Sequence, residues 1–276
     1  MEQCGQQLEL EFYCAEGPAV SGVNNAVLKA LDILDLLGRA PEQLRLMDIA
    51  LQLDLPESTT HRLLASMAEK GYVQQREHNG PYSLGWKIVT LARSLGTESR
   101  LVQEVRPYLE QLLREVKQTV NLGVLNELQV AYLDCLTPNH AVALYTPPGL
   151  LVPSYATSLG KALLAHLPPP ELEAMLSRLR LEPLTPRSIT SRSALEAALD
   201  EVRRQGYAVD RGEFHRDVLC VAAPILEPGG RAIAAVSVTA RAADVAANWE
   251  EQTAPLVVKA AQEAARYLFG AALAAR

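Results

Sequence analysis

The stretch "DLPESTTHRLLASMAEKGYV", residues 54–73, predicts an unusual helix. The helix is predicted to begin at Pro56 and to end at Gly71. Its core-facing residues recur at helical spacing: Thr60, Leu63, Leu64 and Met67. The opposite face carries short polar side chains and one arginine, whereas an ordinary solvated face is rich in lysine and glutamate. Such a face is typical of a helix that another molecule covers.

A helix-turn-helix unit is predicted around this stretch. A first helix spans about residues 25–37, with Asn24 or Asn25 as its cap and Gly38 as its end. Its predicted buried residues are Val27, Ala30, Leu31, Leu34 and Leu37. A short second helix contains Leu46, Ile49, Ala50 and Leu53 at helical spacing. The turn at Asp54 and Leu55 then leads into the third helix, so that two short helices are joined as in a helix-turn-helix.

The exposed face of the third helix fits the major groove of DNA. In a helix-turn-helix the second helix of the unit enters this groove with its N-terminal residues near the base edges. Small outward residues permit close approach, and hydroxyl, imidazole and guanidinium groups bond to phosphates or bases. The candidate DNA-binding residues of this helix are Ser58, Thr59, His61, Arg62 and Ser66.

A hairpin follows at once in "GYVQQREHNGPYSLG", residues 71–85. The pair Asn79-Gly80 is a strong turn signal, and strands are predicted at about 72–76 and 82–84. A hairpin directly after a helix-turn-helix indicates a winged helix. The candidate contacts at the wing tip are Arg76, His78 and Asn79. The alternative is a small domain of the same fold that binds protein instead of DNA.

Charge and cysteine usage limit the functional classes. The net charge is -6, and residues 20–93 hold eight basic and eight acidic residues, so any DNA contact depends on local charge placement. Cys4, Cys14, Cys135 and Cys220 share no metal-ligand spacing, and neither a metal nor another cofactor is predicted. No apolar run reaches the roughly 18 to 20 residues that span a bilayer. We therefore expect a reduced cytoplasmic protein without membrane attachment.

The second half of the chain indicates an α+β domain. A helix over about residues 98–118 is followed by "VNLGVLN", "VAYLDCL", "AVALY", "GYAVD", "VLCVAAPIL" and "AIAAVSVTA", all of which have strand character. Hairpin-linked strands with helices alongside predict an antiparallel sheet. The predicted domains are a mobile tail (1–20), a winged helix-turn-helix (21–84), a linker helix region (85–118) and the sheet domain (119–276).

The chain resembles the IclR family of transcriptional regulators over about residues 22–270. Three stretches carry the resemblance: "LPESTTHRLLASMAEKGYV", "YATSLGKALLAHLPPPELEAML" and "GYAVDRGEFHRDVLCVAAPILEPGGRAIAAVSVTA". The resemblance implies an N-terminal winged helix-turn-helix, a linker helix and a GAF-like effector-binding domain. It also implies dimers or tetramers on operator DNA and a small, often carboxylate-bearing effector. Two residues depart from the family pattern: Asp54 replaces a frequent glycine, and Glu57 replaces a frequent basic residue.

The resemblance also implies an effector pocket at Asp210, Cys220, Ser237 and Thr239. Independently, Ser237 and Thr239 alternate with valines in a strand and therefore share one face. A second candidate element is the helix start at "TSLGKALL", where Ser158 would cap the helix and the N–H groups of Leu159 and Gly160 would attract an anion. Gly160 would also permit close approach of a ligand. The alternative is that the strand hydroxyls make cross-strand or water hydrogen bonds and that Lys161 is solvated.

The predicted function is a one-component regulator that binds an inverted-repeat operator in double-stranded DNA as a homodimer or homotetramer. A small-molecule effector would favour one of two states through differential affinity. The alternative from another class is an enzyme that processes a small organic acid with Asp210, Cys220 and Ser237. No motif places a general base beside a nucleophile, so no catalytic residue is predicted. His215, Asp217 and Cys220 do not complete a tetrahedral metal site.

Overall fold

The computed structural model describes residues 24–40, 42–77, 79–92, 96–138 and 146–273, without the side chains of 96–99 and 271–273. These residues divide into two compact units between Ser99 and Arg100. No helix within these ranges is long and apolar enough to cross a membrane. Several predicted features lie outside the described residues: the tail 1–20 with Cys4 and Cys14, the wing residue His78 and the strand at 141–145.

The first unit is the predicted winged helix-turn-helix. Its elements are α1 (Asn25–Arg39), α2 (Leu46–Gln52), α3 (Glu57–Glu69), β1 (Val73–Gln75), β2 (Tyr82–Leu84) and α4 (Lys87–Ala92). Asp54, in the turn between α2 and α3, has a φ of 48°, the left-handed conformation that aspartate tolerates better than most residues. β1 and β2 pair antiparallel to form the wing. The short helix α4 was not predicted from the sequence.

The predicted buried face of α1 is only partly correct. Leu37 is buried as expected, but Val27 and Leu31 are 54% and 51% exposed, and Ile33 is fully buried in their place. Apolar side chains extend around much of the surface of α1, and the neighbouring elements of the first unit cover only part of that surface. Gly38 does not end the helix, which continues to Arg39, whereas the predicted cap Asn24 accepts a hydrogen bond from the Ala26 N–H at 2.9 Å.

The second unit is an antiparallel sheet with helices on both faces. Its elements are α5 (Gly96–Val116), β3 (Thr119–Asn126), β4 (Gln129–Leu136), β5 (Leu151–Pro153), α6 (Ser158–Leu164), α7 (Pro169–Leu176), α8 (Arg192–Gln205), β6 (Ala208–Arg211), β7 (Val218–Leu226), β8 (Ala232–Arg241) and α9 (Trp249–Leu273). The strand order is β5-β4-β3-β8-β7-β6, and all neighbouring strands are antiparallel. The predicted α+β fold is therefore confirmed, although β5 was not foreseen.

Each face of the sheet has its own core. Helices α5 and α9 pack on one face, where Val236 and Val238 of β8 point. Helices α6 and α8 pack on the other face. Because side chains alternate along a strand, Ser237 and Thr239 point to the α6 side. The predicted alternation in β8 thus places both hydroxyls on the same side as the start of α6.

A β-bulge in β4 changes which side chains face α6. Leu122 pairs with Asp134, but the next residue, Gly123, pairs with Tyr132, so Leu133 is an extra residue. Such an extra residue reverses the alternation locally. Tyr132 therefore packs on the α6 side, whereas Asp134 lies on the α5 side and pairs with Arg106, with 3.0 Å between Arg106 Nη1 and Asp134 Oδ2.

Candidate functional site

The N-terminal part of α3 presents the side chains that the sequence assigned to DNA. Thr60, Leu64 and Met67 are buried, and Ser58, His61, Arg62 and Ser66 are exposed on the other side, with Thr59 half-buried between them. The Ser66 hydroxyl donates to the Arg62 carbonyl at 2.9 Å, which leaves its lone pairs available as acceptors. The face is polar, and apart from His61 and Arg62 its side chains at Ser58, Thr59 and Ser66 are small.

The wing continues this polar surface. Arg76 and Asn79 are exposed, and Asn79 has a φ of 60°, so the turn signal at Asn79-Gly80 corresponds to a real turn. Among the residues that the structure describes, neither Arg62 nor Arg76 forms an ion pair with a carboxylate. Free guanidinium groups of this kind suit phosphate or guanine recognition.

A narrow cavity lies between the sheet and the start of α6 in the second unit. Its free volume is about 30 Å³, which is room for one or two water molecules. It brings together six of the seven predicted effector residues: Ser158, Leu159, Asp210, Cys220, Ser237 and Thr239. Tyr132, Leu150, Val152 and Phe214 supply apolar surface. An organic ligand therefore requires some of these side chains to move.

The register of the sheet explains why these residues meet. Asp210 pairs with Cys220, and Cys220 pairs with Thr239, so the three lie in one row across β6, β7 and β8. Ser237 lies in the adjacent row, opposite Asn121 of β3. All of these positions have the parity of the α6 face.

Asn121 is a central polar residue that the sequence analysis missed. It is fully buried, and its amide donates to Ser237 Oγ at 3.3 Å and to Thr239 Oγ1 at 3.2 Å. Its own carbonyl oxygen accepts from Thr146 Oγ1 at 2.5 Å. The cross-strand alternative for the strand hydroxyls is thus partly realised: Thr239 Oγ1 also lies 3.3 Å from Cys220 Sγ, whereas the Ser237 O–H group stays available as a donor. The available signal was an asparagine between Val120 and Leu122 in an apolar strand.

The start of α6 differs from the prediction. Thr157, not Ser158, is the cap: its hydroxyl accepts the Gly160 N–H at 3.2 Å. Gly160 therefore has no free N–H for an anion, and it does not line the cavity. A Cβ at this position would overlap the backbone carbonyl and Cα of Ser154. The glycine is needed for close packing of backbone on backbone and not for the approach of a ligand.

Gly160→Ala is accordingly expected to destabilise the second unit. The overlap forces a backbone shift, for which overpacking typically costs about 1–3 kcal/mol. Urea unfolding, followed by the fluorescence of Trp249 in a Trp86→Phe background, would measure the change in that unit. Gly270→Ala is the contrast, because its Cβ meets no atom within 4 Å and its backbone is not in the left-handed region. Equal losses in both variants would contradict the packing explanation.

A buried charged cluster adjoins the cavity. Lys161 is 4% exposed and forms an ion pair with Glu213, so the alternative that it is solvated is wrong. The Glu213 N–H donates to Asp210 Oδ1 at 2.6 Å. Burial raises the pKa of Asp210 to about 7 and also raises the pKa of Glu213, against the opposing effect of Lys161. The carboxyl groups of Asp210 and Glu213 thus lie near a single cation, Lys161, in a buried cluster.

This cluster predicts a pH dependence of stability. Asp210 ordinarily has a pKa of 3.8, so between about pH 4 and 7 the folded protein holds a proton that the unfolded chain has released. The free energy of unfolding then falls as pH rises, by at most about 1.4 kcal/mol per pH unit from this group. Asp210→Asn should remove that slope and gain stability relative to the parent protein at pH 8. Urea unfolding of both proteins at pH 5 and pH 8 tests this, and parallel slopes would refute it.

Cys220 is poorly suited to act as a nucleophile. Burial raises the pKa of its thiol, and the sulfur lies 3.3 Å from Thr239 Oγ1. A thiolate, not a thiol, attacks. Across the described ranges, no three histidine, cysteine or acidic side chains are placed to hold a metal ion. The cavity is lined by hydroxyl, carboxyl and thiol groups together with apolar side chains.

Comparisons with known proteins agree with the two-unit organisation. Residues 26–77 match the IclR helix-turn-helix domain, and residues 95–266 match the bacterial transcriptional regulator IclR C-terminal domain. The HTH-type transcriptional regulator XynR of Escherichia coli (strain K12) is 36% identical over 231 residues, 82% of this chain and 92% of XynR.

Solved structures extend the likeness to the whole fold. The Thermotoga maritima IclR structure superposes with a TM-score of 0.75 at 27% identity, covering 88% of this chain and 98% of the other. An IclR homolog from Microbacterium hydrocarbonoxydans, crystallised in complex with 4-hydroxybenzoate, gives a TM-score of 0.73 at 27% identity, covering 89% and 99%.

Proposed function

Because the chain belongs to the IclR family of transcriptional regulators, we propose that it binds an inverted-repeat operator and that a small carboxylate-bearing effector modulates this binding. The observation that carries the proposal is the combination of two features in one chain. The first unit presents an exposed polar helix face with Arg62, which has no carboxylate partner among the described residues, and the second unit contains a cavity lined by oxygen-bearing side chains. DNA and effector would thus each have a separate unit.

The proposed DNA contacts lie on α3 and the wing. Arg62 would contact a guanine or a phosphate, and Ser58, Thr59, His61 and Ser66 would bond to nearby bases and phosphates. Arg76 and Asn79 would contact the backbone or the minor groove from the wing. The support is their exposure and the absence of carboxylate partners for both arginines among the described residues.

The proposed effector site is the cavity beside α6. The O–H group of Ser237, the buried carboxyl of Asp210 and the backbone N–H of Leu159 are groups that would bind carboxylate and hydroxyl oxygens. The 4-hydroxybenzoate complex of the related protein supports an effector of this class, and a ligand of that size requires the side chains around the 30 Å³ space to separate. Tyr132 and Phe214 are the largest of them.

We also propose a homodimer or homotetramer in the cytoplasm. An inverted repeat is matched by a protein with twofold symmetry, and half-sites about one helical turn apart need two copies of α3. The exposed apolar residues Val27, Leu28 and Leu31 on α1 are surface that a second copy would cover. Sedimentation velocity would distinguish the two stoichiometries.

An electrophoretic mobility shift across a salt series is the direct experiment. DNA from upstream of the coding region is the first probe, and a discrete complex that footprints to an inverted repeat is the expected result. Affinity should fall steeply with salt, because phosphate contacts release counterions. If neither this DNA nor a genome-wide selection yields a specific complex, the proposed function is wrong.

Ser237→Ala is expected to weaken the effector response without affecting DNA binding. The change removes one hydroxyl from the cavity, and one lost hydrogen bond of about 1 kcal/mol corresponds to roughly fivefold weaker effector binding. The measurement is the concentration of acid that half-dissociates the operator complex, with 4-hydroxybenzoate and small aliphatic acids as the first probes. Ser193→Ala on the exposed start of α8 is the matched control. An unchanged midpoint for Ser237→Ala would place the effector elsewhere.

The enzyme alternative receives no support from the comparisons, because the curated relatives are named as transcriptional regulators. The raised pKa of Cys220 also argues against nucleophilic chemistry in the cavity. We therefore propose that the cavity binds its small molecule without converting it.

A further inference from the structure

A cleft of about 270 Å³ opens on the surface of the first unit. It lies between the start of α2, the recognition helix α3 and the wing. Its lining includes Arg45, Met47, His61, Gln75, Asn79 and Tyr82. Of these, only His61 and Asn79 were assigned to DNA from the sequence. The cleft therefore contains polar groups that the proposed contacts do not use.

The polar side chains that line the cleft are neutral or positively charged. The lining contains no carboxylate, and Arg45 supplies a positive charge. Over the ranges that the structure describes, Arg45 makes no ion pair, as is true of Arg62 and Arg76. The nearby carboxylate of Asp48 accepts a hydrogen bond from the backbone N–H of Arg45 at 3.1 Å. This hydrogen bond fixes the backbone of Arg45.

The walls of the cleft are held together by hydrogen bonds. Leu44, the residue before Arg45, exchanges two backbone hydrogen bonds with Tyr82 of the wing, at 2.7 and 3.2 Å. The Gln75 side chain donates to the Gly80 carbonyl at 2.7 Å across the wing turn. Arg45 and the wing are thus fixed relative to each other before any ligand binds, which reduces the entropic cost of binding.

We propose that this cleft seats a phosphodiester of the DNA backbone, with Arg45 as its cationic partner. The proposal rests on the proposed function, because it assumes that α3 and the wing meet the same duplex. His61 on one wall and Asn79 on the other would then flank the strand, and Met47 would contact the sugar. Arg45 thereby becomes a third arginine contact, in addition to Arg62 and Arg76.

The test is the salt dependence of DNA binding by Arg45→Gln. Fluorescence anisotropy with a mixed-sequence 30-base-pair duplex and with the upstream DNA would be recorded from low to moderate salt. A symmetric dimer loses two phosphate contacts, one per protomer, so the slope of log affinity against log salt should fall by about 1.8 and the affinity by about 60-fold at 0.1 M salt. Both DNAs should show the effect, because a phosphate contact is independent of sequence.

Two variants control for charge. Arg45→Lys keeps the positive charge and should keep the slope, because lysine also pairs with phosphate as a point charge. Lys70→Gln removes one charge from the exposed C-terminal end of α3 and should leave the slope unchanged. Ethylation interference on the upstream DNA would locate the phosphate that Arg45 contacts. Arg45→Gln should lose interference at one phosphate in each half-site.

The outcomes are distinguishable. If the parent protein binds neither duplex at low salt, the proposed function fails and the phosphate seat fails with it. If the parent protein binds and Arg45→Gln has the same slope, only the seat is refuted. Inorganic phosphate, exchanged for chloride at constant ionic strength, separates the two sources of the anion. A phosphate effect that Arg45→Gln abolishes, without a change in the DNA slope, would assign the cleft to free anions and overturn the proposal.

Discussion

Arg62→Ala should weaken operator binding by roughly 30-fold to roughly 25,000-fold. A bidentate arginine contact to a base contributes about 1–3 kcal/mol, and a symmetric dimer loses two such contacts. The guanidinium is exposed on α3 and has no carboxylate partner in the described part of the chain, so its loss disturbs no internal interaction. The measurement is anisotropy with the footprinted operator at fixed salt.

Two comparisons determine what Arg62 contacts. Arg216→Ala removes the same charge from an exposed position in the second unit and should leave affinity unchanged. Loss of discrimination against a mixed-sequence duplex would indicate a base contact, whereas an equal loss on both DNAs would indicate a phosphate contact. If Arg62→Ala keeps both the affinity and the salt slope of the parent protein, α3 is not the recognition helix.

Lys161→Met should destabilise the second unit by about 3–5 kcal/mol. Removal of one partner from a buried ion pair leaves the other charge without compensation. Here the remaining group is Glu213, one of whose carboxylate oxygens, Oε2, already has no hydrogen-bond partner within the described residues. The carboxyl group of Asp210 lies in the same cluster, and an uncharged side chain at position 161 would not stabilise its charge. Urea unfolding followed by Trp249 fluorescence would report the loss.

A double-mutant cycle separates the ion pair from packing. Lys161→Met with Glu213→Gln removes both charges and should recover a large part of the loss, because no uncompensated ion remains. Arg231→Met breaks the surface pair with Glu171 and should change stability little. If the double variant is as unstable as Lys161→Met alone, side-chain packing and not charge explains the effect.

The periodicity of the sequence was sufficient to predict the features that depend only on residues close to one another in the chain. The exposed face of α3 and the shared face of Ser237 and Thr239 follow from periods of 3.6 and 2, which any reader of the sequence can count. The turn at Asp54 and the hairpin at Asn79 follow from backbone preferences of single residues. In these places the sequence alone was informative because no distant partner is involved.

Features that depend on distant partners were not predictable. Lys161 pairs with a glutamate 52 residues away, so its burial had no local signal. Asn121 became part of the site through the pairing of β3 with β8, a register that no single strand encodes. The exposed residues of α1 have the same chemistry as its buried ones, and only the arrangement of the neighbouring elements decides between them. Gly160 was predicted to contact a ligand. It instead packs closely against the backbone of Ser154, and this contact depends on a turn that periodicity does not show.

The bulge in β4 allows Tyr132 and Asp134, two residues apart, to face opposite sides of the sheet. Deletion of Leu133 would remove the bulge and leave Tyr132 on the cavity side and Asp134 on the opposite face, because adjacent residues in a regular strand face opposite sides of the sheet. Protein engineers who wish to alter ligand preference can therefore substitute at Tyr132, on the cavity side, and keep the ion pair on the opposite face of the sheet. Other single-residue insertions or deletions in β4 would reverse the facing of the side chains beyond the change, so libraries for a biosensor should vary residue identity there and hold chain length constant.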